Sequence, residues 1–333
     1  MGKLTRIIFR NMSPLHLGRG RDSYDSSSPN LSSDSLSSAL ASMRAFDGKT
    51  DDMKEFLESF TISSAFPYSG KEFFLPRPCG RLNIIVKGQQ EREYRKRLKK
   101  LRFISSSLWN KMITGCSIEV YPSQIHGEFL IDEPNEAYPQ PMSHAVHQRV
   151  MVPRADERDA VPFMFEWTFF RHGENESGLY CLIDCHEDCK SELIELFKQL
   201  GSFGIGSDRT VGGGQFDIDT EDLEWKDVNG NATMLLSSYI PMEEEIASLN
   251  LQTSNYSILK RGGFMSGSSN ENIRLLRRKT VYMFDAGSVF RTTQPIEGTI
   301  VNLAPKWNTD DMHPVYRSGR PLYVTVNLNK DEE

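Results

Sequence analysis

The sequence has no run of about 18 apolar residues, the length a bilayer-spanning helix needs, and only 38% of its residues are apolar. A helical membrane span is excluded on that ground. Cysteine is scarce: five occur in 333 residues, an odd number that reads as reduced thiols and not as a disulfide framework. No GxSxG elbow occurs, which removes the Ser-His-Asp arrangement of the α/β-hydrolases. No Lys-Ser or Lys-Thr pair follows the glycine runs, which removes the mononucleotide P-loop. No C-x2-C knuckle occurs either. Cys181, Cys185, His186 and Cys189 are the one grouping that invites a zinc reading, set against the alternative of half-buried cysteines at a strand-to-helix junction. No bound metal and no cofactor are expected. An excess of positive charge is also missing, since the formal net charge is -6, which argues against a domain that binds nucleic acid unaided. The opening MGKLTRIIFR is basic but too short in its apolar part for an export signal, so a cytoplasmic location is expected.

What is present is segregated charge, glycine and alternating apolar pattern. Lys87 to Arg102 holds eight Lys or Arg against two Glu, whereas Glu243, Glu244, Glu245 and the last three residues are acidic. Such a surface suits a subunit that meets an anion on one face and protein on others. Lys3–Arg10 alternates as a first strand. Asp34 in SSDSL is placed to cap a helix carrying Leu36, Ala39, Leu40 and Met43. Residues 61–78 read as an irregular segment laid over the core. The spacing of Tyr94, Leu98 and Leu101 predicts a helix with a solvated basic face, a nucleic-acid patch being the other reading. A protruding hairpin is expected before PFMFEWTFF. Phe163 to Phe170 and Leu179 to Cys185 then read as paired strands around HGENESG, followed by an amphipathic helix from Asp188 to Leu200. Strand, helix, strand, strand, helix, strand is the order of a ferredoxin-like unit. After residue 231 the chain reads as mostly strands.

Two glycine-rich elements stand out. GSFGIGSDRTVGGGQF, residues 201–216, surrounds Arg209 with six glycines. Gly212, Gly213 and Gly214 are suited to turning several backbone N–H groups onto an anion, with an ordinary glycine turn as the alternative. KRGGF places Lys260 and Arg261 before Gly262 and Gly263. Phe216 and Phe264 beside these runs suit base stacking or simple core packing.

Five segments in order, SPLHLGRG, SSDSLSSAL, GSFGIGSDRTVGGGQF, KRGGF and HPVYRSGRPL, together resemble the family of the fourth subunit of the Csm complex, the type III-A CRISPR effector, within the RAMP superfamily of RNA-binding proteins. The resemblance covers most of the chain. It implies an α+β fold of two ferredoxin-like (RRM-like) domains with a protruding β-hairpin thumb and a glycine-rich loop: residues 1–225 with the thumb at about 135–165 and the loop at 201–216, then a strand-rich domain at 226–333. It implies a non-catalytic subunit that grips the 5′ tag of the guide RNA (crRNA) and contacts the large polymerase-like subunit that makes cyclic oligoadenylates and a backbone subunit, with target RNA near the thumb. The RNA-binding candidates are His16, Arg19, Arg21, Arg149, Arg154, Arg209, Gly212, Gly213, Gly214, Lys260, Arg261, Gly262 and Gly263, with Arg158 on the same hairpin. His16 has two open roles, a structural hydrogen bond or an RNA contact. The rival function is a RAMP-type metal-independent endoribonuclease that processes guide precursor, with His16, His144 and His147 as candidate acids or bases.

Overall fold

The first strand spans Lys3–Arg10 in the computed structural model, which describes residues 3–18, 24–28, 30–88, 91–152, 159–225, 228–265, 276–305 and 313–327. It lies between Asp217–Glu224 and Ser177–Cys185, antiparallel to both. Alternation decides its two faces. Phe9 meets Phe197 of the helix Glu187–Phe203, ring centroids 5.9 Å apart, while Arg6 lies on the other side, its guanidinium 3.8 Å from the centre of the Phe73 ring. Beyond Ser177–Cys185 the sheet continues through Phe66–Ser69, Glu72–Pro76, Phe103–Ser105, Phe129–Leu130 and Ile125–His126, with Phe60–Ile62 also pairing with Ser177–Cys185.

The helices Ser33–Phe46 and Glu187–Phe203 pack on this sheet through apolar stripes, Leu36, Leu40 and Met43 in one and Leu193, Leu196, Phe197 and Leu200 in the other, all buried. The second helix ends where Gly204 takes φ +79° and donates its N–H to Leu200 O at 2.8 Å. A Cβ there would sit 2.5 Å from Gly213 O, so the helix end and the glycine loop require one another.

Three expectations are corrected. Residues 61–78 are not irregular: Phe60–Ile62, Phe66–Ser69 and Glu72–Pro76 are strands that bury Tyr68 and Phe74, and Gly70 at φ +57° makes the tight turn. Their aromatics and prolines belong to the sheet because Pro67 faces Leu179 in the ladder. Phe163 to Phe170 does not pair with Leu179 to Cys185. Val161–Phe170 pairs along its whole length with Met142–Met151, and Ser177–Cys185 pairs instead with the first strand, which supplies the longer buried apolar partner. Asp34 is not an N-cap: Ser32 holds that position, and the Asp34 carboxylate turns to side chains described below.

Residues 228–327 are rich in strands. Ala232–Leu235 lies between Val289–Phe290 and Tyr323–Val326, and two ribbons pair Ile258–Arg261 with Val281–Phe284 and Ile300–Asn302 with Tyr316–Ser318. The described residues of this half contain a 3-10 helix, Glu243–Leu249, and no α-helix, whereas a ferredoxin-like unit carries two. Met234, Leu236, Leu322 and Val324 join the large apolar core of the N-terminal sheet, and Leu235, Tyr239, Leu249, Phe290 and Ile296 form a small core of their own. Among the described residues no helix is long and apolar enough to cross a membrane.

Candidate nucleic-acid interface

The glycine loop is built on the SPLHLG segment. Gly214 donates to Pro14 O at 2.9 Å, Ser207 donates to His16 O at 2.9 Å, and Ser13 Oγ donates to Gly212 O at 2.8 Å. Side chains are excluded at the contacts: a Cβ on Gly206 would meet His16 O at 2.4 Å, and one on Gly214 would meet Ile205 O at 1.9 Å. Both residues also have positive φ, +89° and +68°. The glycines are thus required by close backbone approach. The expectation of bare amides at Gly212, Gly213 and Gly214 is not met, because their N–H groups donate to Arg209 O at 3.0 Å, Asp208 O at 3.1 Å and Pro14 O at 2.9 Å. What this folded loop offers outward is the 3-10 turn Arg209–Val211. Arg209 is exposed there with no carboxylate partner among the described residues, beside Val211, 66% exposed.

The hairpin Met142–Met151 with Val161–Phe170 crosses to this loop. Thr168 and Leu15 exchange backbone hydrogen bonds, each 2.9 Å. Arg149 reaches from the hairpin to Asp208 of the loop in an ion pair, its guanidinium 5.0 Å from the centre of the Phe165 ring and 5.9 Å from that of Phe163. Toward its tip the hairpin exposes Val146, Val150, Met151, Val161 and Met164, each at least half exposed. Contiguous exposed apolar side chains on a two-stranded ribbon mark a surface for a partner.

His16 lies under this junction with 1% of its surface exposed. Its Nδ1 is 2.7 Å from Glu166 O, and since a carbonyl only accepts, Nδ1 carries the proton. Nε2 is buried without a partner, and the ring centre lies 4.3 Å from that of Phe165. Of the two roles left open for His16, the geometry carries the structural one. Of the other candidate histidines, His144 Nδ1 lies 3.2 Å from Thr168 Oγ, and His147 packs near Phe169. Arg19, Arg21, Arg154 and Arg158 lie outside the described residues.

A second cluster gathers SSDSL, KRGGF and HPVYRSGRPL. Asp34, fully buried, accepts from Ser32 Oγ at 2.6 Å, from Arg261 at 3.1 Å and from Arg317 at 2.9 Å. Burial alone would push its carboxyl up, but the charges of Arg317 and Arg261 outweigh that and hold it below the ordinary carboxylate range. Arg278 stands in the same field and donates twice to Gly262 O, at 2.6 and 3.0 Å; burial, then the charge of Arg317, lowers its pKa to about 10. Two guanidinium groups therefore share one carboxylate with a third in its field, and Nε of both Arg261 and Arg317 is buried without a partner. Gly262 and Gly263 are occupied by Arg278, since Gly263 O accepts its backbone N–H at 3.1 Å. Lys260 is exposed.

Residue types alone did not single out Asp208, Phe165, Arg278 or Arg317. Arg317 had a usable signal in HPVYRSGRPL; the others become visible only through pairing that brings distant residues together. Among the described residues no group of three or more His, Cys, Asp or Glu is placed to hold a metal. Cys189 Sγ instead donates to His186 O and Ser59 O.

Comparison with known proteins places these features in a wider set. Residues 228–326 match the family described as CRISPR Csm4 C-terminal domain. The protein "CRISPR system Cms protein Csm4" of Streptococcus thermophilus is 27% identical, with 98% of this chain and 99% of the relative covered. Its namesake in Mycobacterium tuberculosis (strain CDC 1551 / Oshkosh) is 25% identical over 92% of this chain and 93% of the relative. Among solved structures, a Csm1-Csm4 cassette in complex with cA4 contains a chain of TM-score 0.59 and 16% identity, with 98% of this chain and 99% of that one covered. A Csm3-Csm4 subcomplex from a type III-A interference complex contains another of TM-score 0.59 and 17% identity, with 97% and 99% covered.

Proposed function

We propose that the chain is a Csm4-type subunit of a type III CRISPR complex, a non-catalytic guide-RNA-binding subunit that grips the 5′ tag of crRNA between its hairpin and its glycine-rich loop. The observation that carries this reading is the Arg149 to Asp208 pair, which fastens the hairpin to the loop beside the uncompensated cation of Arg209. In this reading the sheet around Lys3–Arg10 is the ferredoxin-like platform, and the hairpin is the thumb. Its exposed Val146, Val150 and Met164 cover unstacked bases near the target RNA, while Arg209 and Lys260 meet phosphates.

The loop contributes by shape and not by free amides. Its glycines let the backbone turn tightly enough to present Arg209 at the foot of the hairpin. The related solved structures are a Csm1-Csm4 cassette and a Csm3-Csm4 subcomplex; by analogy this chain joins the large polymerase-like subunit to a backbone subunit in the cytoplasm. The endoribonuclease alternative asks a histidine to touch RNA, and the burial of His16 leaves that candidate out of reach of a strand.

The test is binding of a crRNA carrying its 5′ tag to the full chain, alone and with its two protein neighbours. Arg209→Gln is expected to weaken binding and to lower the slope of log affinity against log salt by about 0.7, one phosphate contact on a single strand. An unchanged slope, or cleavage of repeat RNA by the purified chain, would contradict the reading.

A further inference from the structure

A cavity of about 190 Å³ lies between the two halves of the chain, with Asn30, Arg77, Arg102, Phe103 and Asp285 among its walls. Neither the hairpin nor the glycine loop lines it. Its chemistry is unusual in one respect: Arg77 has no carboxylate partner among the described residues. Its Nε is buried without an acceptor, and the hydrogen bond that its guanidinium does make runs to Gly80 O at 3.0 Å. Burial lowers the pKa of this group, yet an arginine stays charged in a protein and its desolvation calls for an anion. Arg102, by contrast, is already held by Glu128, at 2.9 and 3.1 Å, and by Asn30.

The lining also carries Asp285, whose carboxylate accepts from the N–H of Ala286 at 2.8 Å and is pushed up by burial. Asp285 in turn stands in the field of Arg261, one of the two arginines paired with Asp34. The net charge of the surroundings is positive. An approach is provided by the helix Glu91–Lys100, which runs into Leu101 and Arg102 at the cavity wall and exposes Arg95, Lys96, Lys99 and Lys100 with no ion pair among the described residues.

We propose that this cavity is a second ligand site and takes a ribose phosphate, with the phosphate on the free edge of Arg77 and a ribose hydroxyl donating to Asp285. A guanidinium matches a phosphate through paired N–H donors. The Asp285 carboxylate in the same lining discriminates against a bare phosphate and in favour of a group that brings its own O–H donor, which is how a site tells RNA from DNA. The volume suits a single sugar-phosphate unit, with a base left outside it, and not a folded helix. The ribose phosphate comes from a single-stranded RNA lying along the basic helix or from a free mononucleotide. In the first case the site rests on the RNA-binding reading above; in the second it is independent of it.

Two arms separate these sources. In the first, the full chain is titrated with single-stranded RNA of guide length and with DNA of the same sequence, across a series of salt concentrations. Arg77→Gln is expected to weaken RNA binding roughly tenfold and to lower the salt slope by about 0.7, and Asp285→Asn is expected to shrink the preference for RNA over DNA. In the second, thermal unfolding is followed with adenosine 5′-monophosphate, where a rise in Tm that Arg77→Gln abolishes, with RNA affinity unchanged, assigns the site to a free nucleotide. If neither the RNA slope nor the nucleotide-induced Tm responds to Arg77→Gln, the proposal is overturned. Should Arg77→Gln not fold, Asp285→Asn decides alone, and an unchanged RNA preference with an unchanged nucleotide response overturns it. Loss of RNA binding by Arg209→Gln with no effect of Arg77→Gln in either arm overturns this site only, and loss of RNA binding by Arg77→Gln with none by Arg209→Gln overturns the hairpin-loop reading only.

Discussion

Arg149 and Asp208 are 59 residues apart in sequence and form an ion pair that ties the tip-ward half of the hairpin to the glycine-rich loop. Both side chains are about one-third exposed, 34% and 29%, so the ionic part is screened and is worth about 0.2–1 kcal/mol. The Arg149 guanidinium over Phe165 adds a cation–π contribution of about 0.5–1 kcal/mol. A double-mutant cycle of Arg149→Ala and Asp208→Ala in urea unfolding is expected to give a coupling of about 0.5 kcal/mol that falls with added salt. Zero coupling at low salt would show that the hairpin is not anchored by this pair.

Gly214 in the loop is required by space, whereas Gly48, which follows the helix Ser33–Phe46, is not. Gly214→Ala would put a Cβ 1.9 Å from Ile205 O at a φ of +68°, and is expected to destabilise the chain by more than about 3 kcal/mol, since backbone on both sides must move. Gly48→Ala, with nothing within 4 Å of its Cβ at φ +81°, is expected to cost about 1 kcal/mol. Denaturant midpoints at equal m-value check the order, and equal losses would contradict the close-packed loop.

Asp34 joins the N-terminal sheet's first helix to the C-terminal ribbons through Arg261 and Arg317. Because its folded pKa lies below the unfolded one near 3.9, the stability it contributes is fully present above the unfolded value and is lost as pH falls through the folded one. Asp34→Asn leaves the buried Arg317 without its counter-charge and is expected to cost about 3–5 kcal/mol at neutral pH. The variant is also expected to flatten the fall in stability below about pH 4. Unfolding curves from neutral to acid pH test both, and a wild-type acid slope kept by the variant would remove Asp34 from the account.

The elements near the ends of the hairpin and loop show what sequence could reveal. The first strand, the basic helix at 91–100, the helix from Glu187 and the strand-rich character of the chain after residue 231 follow from apolar period, and each is found close to its expected place. Pairing was harder. The PFMFEWTFF strand has an adjacent turn and an adjacent strand, yet its partner is Met142–Met151, because Ser177–Cys185 is buried on the sheet by the first strand. For Asp34 a local cap and a distant arginine look alike in SSDSL, and only the chain's return at residues 261 and 317 decides between them. Glycine pattern likewise located the loop but not the fate of its amides.

His16 is buried under Phe165 with its Nδ1–H on Glu166 O. His16→Ala is expected to lower stability by about 2–4 kcal/mol through lost packing and an orphaned carbonyl, while the RNA affinity of the folded fraction stays within about twofold of wild type, since the ring touches no solvent. Chemical unfolding and RNA titration on the same preparation check this. A large loss of affinity with unchanged stability would restore His16 as an RNA contact.

The central claim, that the 5′ tag lies between the hairpin and the loop, is tested most directly by photo-crosslinking a crRNA with 4-thiouridine placed through its tag to the assembled complex and sequencing the attached peptides. The account predicts adducts within residues 142–170 and 203–215. Adducts confined to the basic helix Glu91–Lys100, with none on the hairpin or the loop, would contradict it.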